Sequence, residues 1–313
     1  MGISFPPVAT GEQRDFTIDV MDKLDLTHIR FAENWNRRGM APDFTPLRRR
    51  IDDLRAAGLS ILLTVQSDAP DAACARRNAH SCLITADAPL EAYLTALVAA
   101  VGNDIDAIQF GNEWDNQFVG STQEFLALHT RFADTIRREA PDLTIVLGGI
   151  TGRAAYAHAY CQNAQSFTLP GIDLTEIKQG FCVTDADRNA RTIAEVTYVL
   201  QNADYDVADI HLYDADGLWQ SAVAWFAGLT VGRPVWVTEF GGPSPELEPD
   251  DPYYQAARLA AYLAAIRQLP IARAYYFKLI DDNGSYHSRS GLFDRRGREK
   301  PAFSVFEDAL SEW

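Results

Sequence analysis

The chain is 313 residues long, with 43 acidic and 28 basic residues giving a formal net charge of −15, and 47% of it is hydrophobic. A surplus of negative charge on this scale disfavours nucleic acid and anionic membrane surfaces as partners, and neutral or cationic ligands suit it better. The apolar fraction is enough for a sizeable core, and no linker, charge block or low-complexity tract divides the sequence. A single catalytic domain over residues 1–313, monomeric, is therefore the expectation.

The opening Met1-Gly2-Ile3-Ser4-Phe5-Pro6-Pro7 has neither a basic segment nor a long apolar run, so it reads as no signal peptide or membrane span. Taken literally, that points to the cytoplasm. The four cysteines pull the other way, because Cys74 and Cys82 bracket one polar loop while Cys161 and Cys182 bracket another irregular stretch, as two local disulfides would. Such bridges imply a secreted or periplasmic protein, and four reduced thiols are the alternative.

Apolar runs of strand length alternate with stretches of helical spacing along the chain. A first strand lies near residues 3–5, followed by a helix over 16–24, a strand Thr27-His28-Ile29-Arg30-Phe31, and a helix over 44–57 that Gly58 closes. A third strand, Ser60-Ile61-Leu62-Leu63-Thr64-Val65, precedes a helix over 89–101 and a fourth strand running to Phe110. Then come a helix over 122–139, a fifth strand over 143–149, a long connection over 151–203 with a helix near 191–201, and a sixth strand over 207–213. A helix over 221–229 leads to the seventh strand, a helix over 253–269 to the eighth over 272–277, and a helix over 301–310 follows. Eight such units predict an α/β fold, most simply one (β/α)8 TIM barrel, with an open doubly wound sheet as the competitor.

Two of the strands end on a glutamate with glycine close by, Gly111-Asn112-Glu113 and Thr238-Glu239-Phe240-Gly241. Carboxylates at the C-terminal ends of barrel strands point into the mouth where chemistry on this fold is done. A facing pair of them is what cleavage of a glycosidic bond requires.

The ordered set Ile29-Arg30-Phe31, Gly111-Asn112-Glu113, His211-Leu212-Tyr213, Val237-Thr238-Glu239-Phe240-Gly241, Ser290-Gly291-Leu292-Phe293-Asp294 and Lys300-Pro301-Ala302-Phe303 resembles the clan A retaining glycoside hydrolases. In tone it is similar to families five and thirty-nine. The resemblance implies hydrolysis of a β-linked oligo- or polysaccharide by double displacement, with Glu113 as acid and base and Glu239 as nucleophile, and no cofactor or metal. It implies opposite protonation at rest, Glu239 anionic and Glu113 protonated. It further implies that Asn112 donates to the sugar 2-OH, Arg30 pairs with Glu239, Tyr213 donates to the nucleophile, and His211 contacts substrate or orients Tyr213.

Where relatives have proline after the strand-four glutamate, this chain has Trp114, a candidate sugar platform. Phe277 is the nearest candidate for the stacking floor under the cleaved sugar, a place the family often gives to tryptophan. Trp35, Trp114, Trp219 and Phe240 fall on predicted loops at the active end, where aromatic faces could meet sugar C–H faces. Two of these four are expected to be contacts. Asp281 either bonds a sugar hydroxyl or belongs to a solvated turn with Asn283-Gly284.

Two other readings compete. Glu113, His211, Glu239 and Asp281 at strand ends could bind Mg²⁺ or Mn²⁺ in an isomerase-like barrel, and the same residues could bind a glycan without cleaving it. Relatives act on glucans, mannans, xylans, galactans and glucuronides. The sugar, its linkage, and endo against exo action are not readable from the sequence.

Overall fold

The computed structural model describes residues 1–163 and 165–311. Eight parallel strands form one sheet: β1 Gly2–Ser4, β2 His28–Glu33, β3 Ser60–Val65, β4 Ala107–Phe110, β5 Thr144–Val146, β6 Ala208–Tyr213, β7 Val235–Gly241 and β8 Arg273–Tyr276. Their spatial order is β5-β4-β3-β2-β1-β8-β7-β6. The two ends of the sheet meet through parallel bridges Val146 to Val207 and Ile150 to Ile210, with the His211 N–H donating to the Ile150 carbonyl at 2.9 Å. The sheet is thereby a barrel, and helices surround it, as the alternating sequence predicts.

The interior is filled in two layers. Leu62, Ala107, Val146, Val207, Trp236 and Tyr275 pack as an apolar floor. Side chains alternate along a strand, so two residues further along β3, β4 and β6 the same inward face carries Thr64, Gln109 and Asp209, each 0–1% exposed. The polar layer starts one pleat above the floor. On the outer face Ile61, Leu63, Ile108, Ile210 and Val237 join the larger core beneath the helices.

One irregularity re-aims a side chain. Asp209 pairs with Trp236, but His211 pairs with Glu239, so β7 holds one residue more than β6 between these points. The same bulge shows against β8, where Ala274 pairs with Val237 and Tyr276 with Phe240. Trp236 and Glu239, three apart, would face opposite sides of a regular strand; the extra residue lets both face inward.

Several boundaries differ from the expectation. The first helix, Gly11–Lys23, begins before Phe16 because Thr10 and Gln13 form a reciprocal capping box. The helix Asp216–Leu229 begins five residues earlier than its predicted start and so takes in Trp219. The segment read as a polar loop between Cys74 and Cys82 is an antiparallel hairpin, Cys74–Arg77 with Cys82–Ile84. Cys74–Cys82 and Cys161–Cys182 are both disulfides, and the second ties the start of the connection between β5 and β6 to its middle. Among the described residues, no helix is long and apolar enough to cross a membrane.

Candidate active site

Glu113 follows β4 by three residues and takes a left-handed backbone, φ 44° and ψ 48°, just after Gly111 at φ 78°. A non-glycine residue held in this region stores strain, which is common where a side chain must be aimed. Glu239 lies within β7, just past the bulge. The two carboxylates and the His211 ring each offer an atom, and these atoms all lie within 4.8 Å of one another.

Each carboxylate is held by two donors. Arg30 Nη1 donates to Glu239 Oε1 at 2.5 Å and the Tyr213 hydroxyl to Oε2 at 2.6 Å. His211 Nδ1 bonds Glu113 Oε1 at 3.0 Å, and Gln117 Nε2 donates to Oε2 at 2.7 Å. His211 Nε2 faces Thr238 Oγ1 at 3.2 Å and lies 3.6 Å from Glu239 Oε1 and 3.7 Å from Asp209 Oδ2. One imidazole therefore lies between both glutamates.

Arg30 is fully buried and spends every N–H direction of its fork. Nε reaches Thr64 and Gln109, Nη1 reaches Ser4 and Glu239, and Nη2 reaches Gln109 and Asn112 Oδ1 at 2.8 Å. Guanidinium nitrogens only donate, so the network turns the Asn112 oxygen toward Arg30 and leaves its amide N–H groups for another acceptor. Gln109 Nε2 continues the chain to Asp209 at 2.6 Å, and Asp209 also accepts from Thr238 N and Oγ1.

Protonation follows from this packing. Burial pushes His211 down, but the charge of Glu239 and the bonds to Asp209 and Glu113 outweigh it and raise the imidazole to about 10. Burial would push Glu113 up, yet the His211 bond and charge, with Gln117, hold its carboxyl below the usual range. Burial and the charges of Glu239 and Glu113 push the Tyr213 hydroxyl far up, so it stays a donor. The packing thus favours an ionised Glu113 beside a protonated His211, the reverse of the expected protonated Glu113. His211 is also fully buried and bonds Glu113 rather than Tyr213, so neither role foreseen for it describes its contacts.

The structure brings together Glu113, Glu239, Arg30, Asn112, His211 and Tyr213. Phe277 stands beside them, 8% exposed, with its ring edge-on to Tyr213 at 6.1 Å and Phe5 at 6.5 Å. The expectations for four aromatics and for Asp281 are corrected. Trp35 is 2% exposed and stacked on Tyr93 at 4.8 Å, in the core under the helices. Trp114 is 5% exposed with its face covered by Phe125 at 4.7 Å. Trp219 and Phe240 are fully buried too, so none of the four aromatics offers an open face. Asp281 accepts from Lys300 at 3.0 and 3.1 Å and from the Gly291 N–H at 2.8 Å, which staples the loop after β8 instead of forming a solvated turn.

Sequence reading missed Gln109, Asp209 and Thr238. A glutamine or an aspartate inside an otherwise apolar buried strand was the available signal, because such a group must find partners. It also missed Gln117 and His287. The His287 ring lies flat on Tyr213, 4.1 Å away and 6° from parallel, and is reached only through the loop after β8. A cleft of about 660 Å³ between the loops after β7 and β8, lined by Pro243, Ser244, Glu248, His287 and Lys300, meets the site at that ring.

No family model matches the chain, and no curated protein is similar to it in sequence. Solved structures are similar in fold. A glucosidase from Croceicoccus marinus superposes with a TM-score of 0.69 at 14% identity, over 99% of this chain and 65% of that one. An exo-beta-1,4-mannosidase from Opitutaceae bacterium strain TAV5 gives 0.67 at 16%, over 99% and 59%. A family 39 glycoside hydrolase from the gut symbiont Bacteroides cellulosilyticus WH2 gives 0.68 at 16%, over 99% and 63%. The chain spans roughly three fifths to two thirds of the length of these proteins. What the chain shares with them is the fold, a parallel barrel ringed by helices.

Proposed function

We propose that this protein is a retaining β-glycoside hydrolase, with Glu239 as nucleophile and Glu113 as acid and base. The observation that supports it best is the spacing of the carboxylates, oxygen to oxygen within 4.8 Å. Retaining enzymes hold the pair about 5–5.5 Å apart, whereas an inverting pair stands about 6.5–9.5 Å apart to admit water between sugar and base. The fold shared with a glucosidase, a mannosidase and a family 39 hydrolase agrees with this reading.

In the first step Glu239 forms an ester bond to the anomeric carbon while the glycosidic C–O bond breaks. The electron pair goes to the departing oxygen, which takes a proton from Glu113. That proton belongs to the Glu113–His211 pair as a unit. The Glu239 charge is the largest influence holding it on His211, so consuming that charge in the new bond releases it toward Glu113. In the second step Glu113, again a carboxylate, takes a proton from water, whose oxygen displaces Glu239 from the same carbon. Asn112 is suited to donate to the sugar 2-OH. A β-linked oligo- or polysaccharide is the substrate class.

Glu113, His211 and Glu239 could in principle chelate a divalent ion. The donor set does not suit one: Arg30 already sits 2.5 Å from Glu239 Oε1, and His211 carries a proton to about pH 10. A cation would be placed against two cations.

The test is turnover of a panel of aryl β-glycosides and oligosaccharides by wild type, Glu113→Gln and Glu239→Gly. Both variants should lose at least about 1000-fold in kcat/KM. Azide should rescue Glu239→Gly and give a glycosyl azide of inverted configuration. Wild-type rates in either variant would end the assignment, and binding without turnover by wild type would favour a glycan-binding barrel.

A further inference from the structure

Gln117 is used by none of the roles above, yet it makes a hydrogen bond to a reacting carboxylate. It lies four residues after Glu113, in the short helix Trp114–Gln117, whose Asn116 and Gln117 N–H groups donate to the Glu113 carbonyl at 2.9 and 2.7 Å. Its own carbonyl accepts from Ser81 Oγ and Asn78 Nδ2, both at 2.9 Å. Ser81 Oγ also accepts from the Val119 N–H at 2.8 Å. Asn78 and Ser81 form the tip of the hairpin that the Cys74–Cys82 disulfide closes. An unbroken set of bonds thus runs from that disulfide to Glu113.

We propose that Gln117 is a positioning residue for Glu113: its amide fixes the second carboxylate oxygen, and the disulfide-closed hairpin fixes the backbone that carries the amide. This rests on the reading of Glu113 as acid and base. His211 takes Oε1 and Gln117 takes Oε2, so the carboxyl plane cannot turn. The left-handed backbone of Glu113 gives no such support from its own turn. An amide suits a carboxyl that must pass between two states, because it donates to the ionised form and, turned over, accepts from the protonated one. No neighbour with only donors or only acceptors can do both.

The charged or titratable groups facing Glu113 are His211 and Tyr213 from β6, Arg30 from β2, Asp115 from its own helix, Glu239 from β7 and His287 from the loop after β8. A substitution at Gln117 changes none of them.

The experiment compares wild type with Gln117→Met, of similar length but without the amide, and with Ser81→Ala, which loosens the seat. Glu113 is titrated by infrared difference spectroscopy against Glu113→Gln, and the pH profile of kcat/KM is measured on an aryl β-glycoside. Gln117→Met should raise the Glu113 titration by about half a unit to one unit while the alkaline limb of the profile, set by His211, stays in place. Its kcat should fall about 5- to 10-fold with KM nearly unchanged. Ser81→Ala should move both in the same direction by less, and it decides the matter if Gln117→Met does not fold. A Glu113 titration that coincides with wild type in the folded variants overturns the assignment. A shifted titration in a protein that hydrolyses no glycoside upholds Gln117 and defeats the functional reading instead.

Discussion

Arg30 and Glu239 are 209 residues apart in sequence and meet at 2.5 Å inside the barrel, their side chains 0% and 7% exposed. The pair is also where the polar layer joins the chemistry, since the same guanidinium reaches Ser4, Thr64, Gln109 and Asn112. Buried pairs of this kind stabilise little against an apolar replacement of both partners, but removing one partner alone costs about 3–5 kcal/mol.

Arg30→Met should therefore damage both stability and rate. Denaturant unfolding is expected to show that loss, and kcat/KM should fall by at least about 100-fold. Arg30→Lys keeps the charge without the fork and should recover stability only in part. A folded Arg30→Met with wild-type turnover would separate the ion pair from catalysis.

Stability should depend on pH through His211 and Glu113 in opposite directions. His211 is raised from 6.5 to about 10 on folding, so its contribution is complete below pH 6.5 and drains away as pH climbs to about 10. Glu113 is lowered from 4.5, so its contribution is present above that value and disappears as pH falls through the folded one. Thermal midpoints of wild type minus His211→Asn should accordingly shrink between pH 6.5 and 10. A difference that grows over this range would show that the imidazole is neutral in the folded protein.

Trp35 separates packing from sugar contact. With 2% exposure and its ring stacked on Tyr93, Trp35→Ala should cost about 3–5 kcal/mol in stability by opening a cavity. The KM of the folded fraction should not change. A KM that rises while the unfolding midpoint stays put would return this ring to the substrate.

Gly149 is a tight approach of backbone to the centre. A Cβ added there would overlap His211 Nε2 and Asp209 Oδ2, both fully enclosed. Gly149→Ala should displace the imidazole from Glu113 and lower kcat/KM by about 100-fold, with far smaller effects from alanine at exposed Gly228, which has open space around it. Kinetics of the two variants side by side check this.

The barrel was legible because each strand is a short apolar run between helices of 3.6 periodicity, a pattern that buried parallel strands produce. Residues at strand ends were legible as well, since Arg30, Glu113, His211 and Glu239 are polar groups where apolar runs stop. The aromatics misled for a physical reason: ring type says nothing about which face is covered, and Trp35 and Trp114 are covered by Tyr93 and Phe125 from elsewhere in the chain. Protonation misled likewise, because it depends on His211 reaching Glu113 across 98 residues. The hairpin between Cys74 and Cys82 was hidden by its polar residues, which read as loop.

The surplus residue in β7 lets two neighbouring side chains, Thr238 and Glu239, both serve the inside of the barrel. Removing Val237 would restore even pairing with Glu239 still inward, two places after Trp236, but it would turn Thr238 to the outer face and take its hydroxyl away from Asp209 and His211. Such a chain would keep its nucleophile in place and lose one support of the imidazole that faces it.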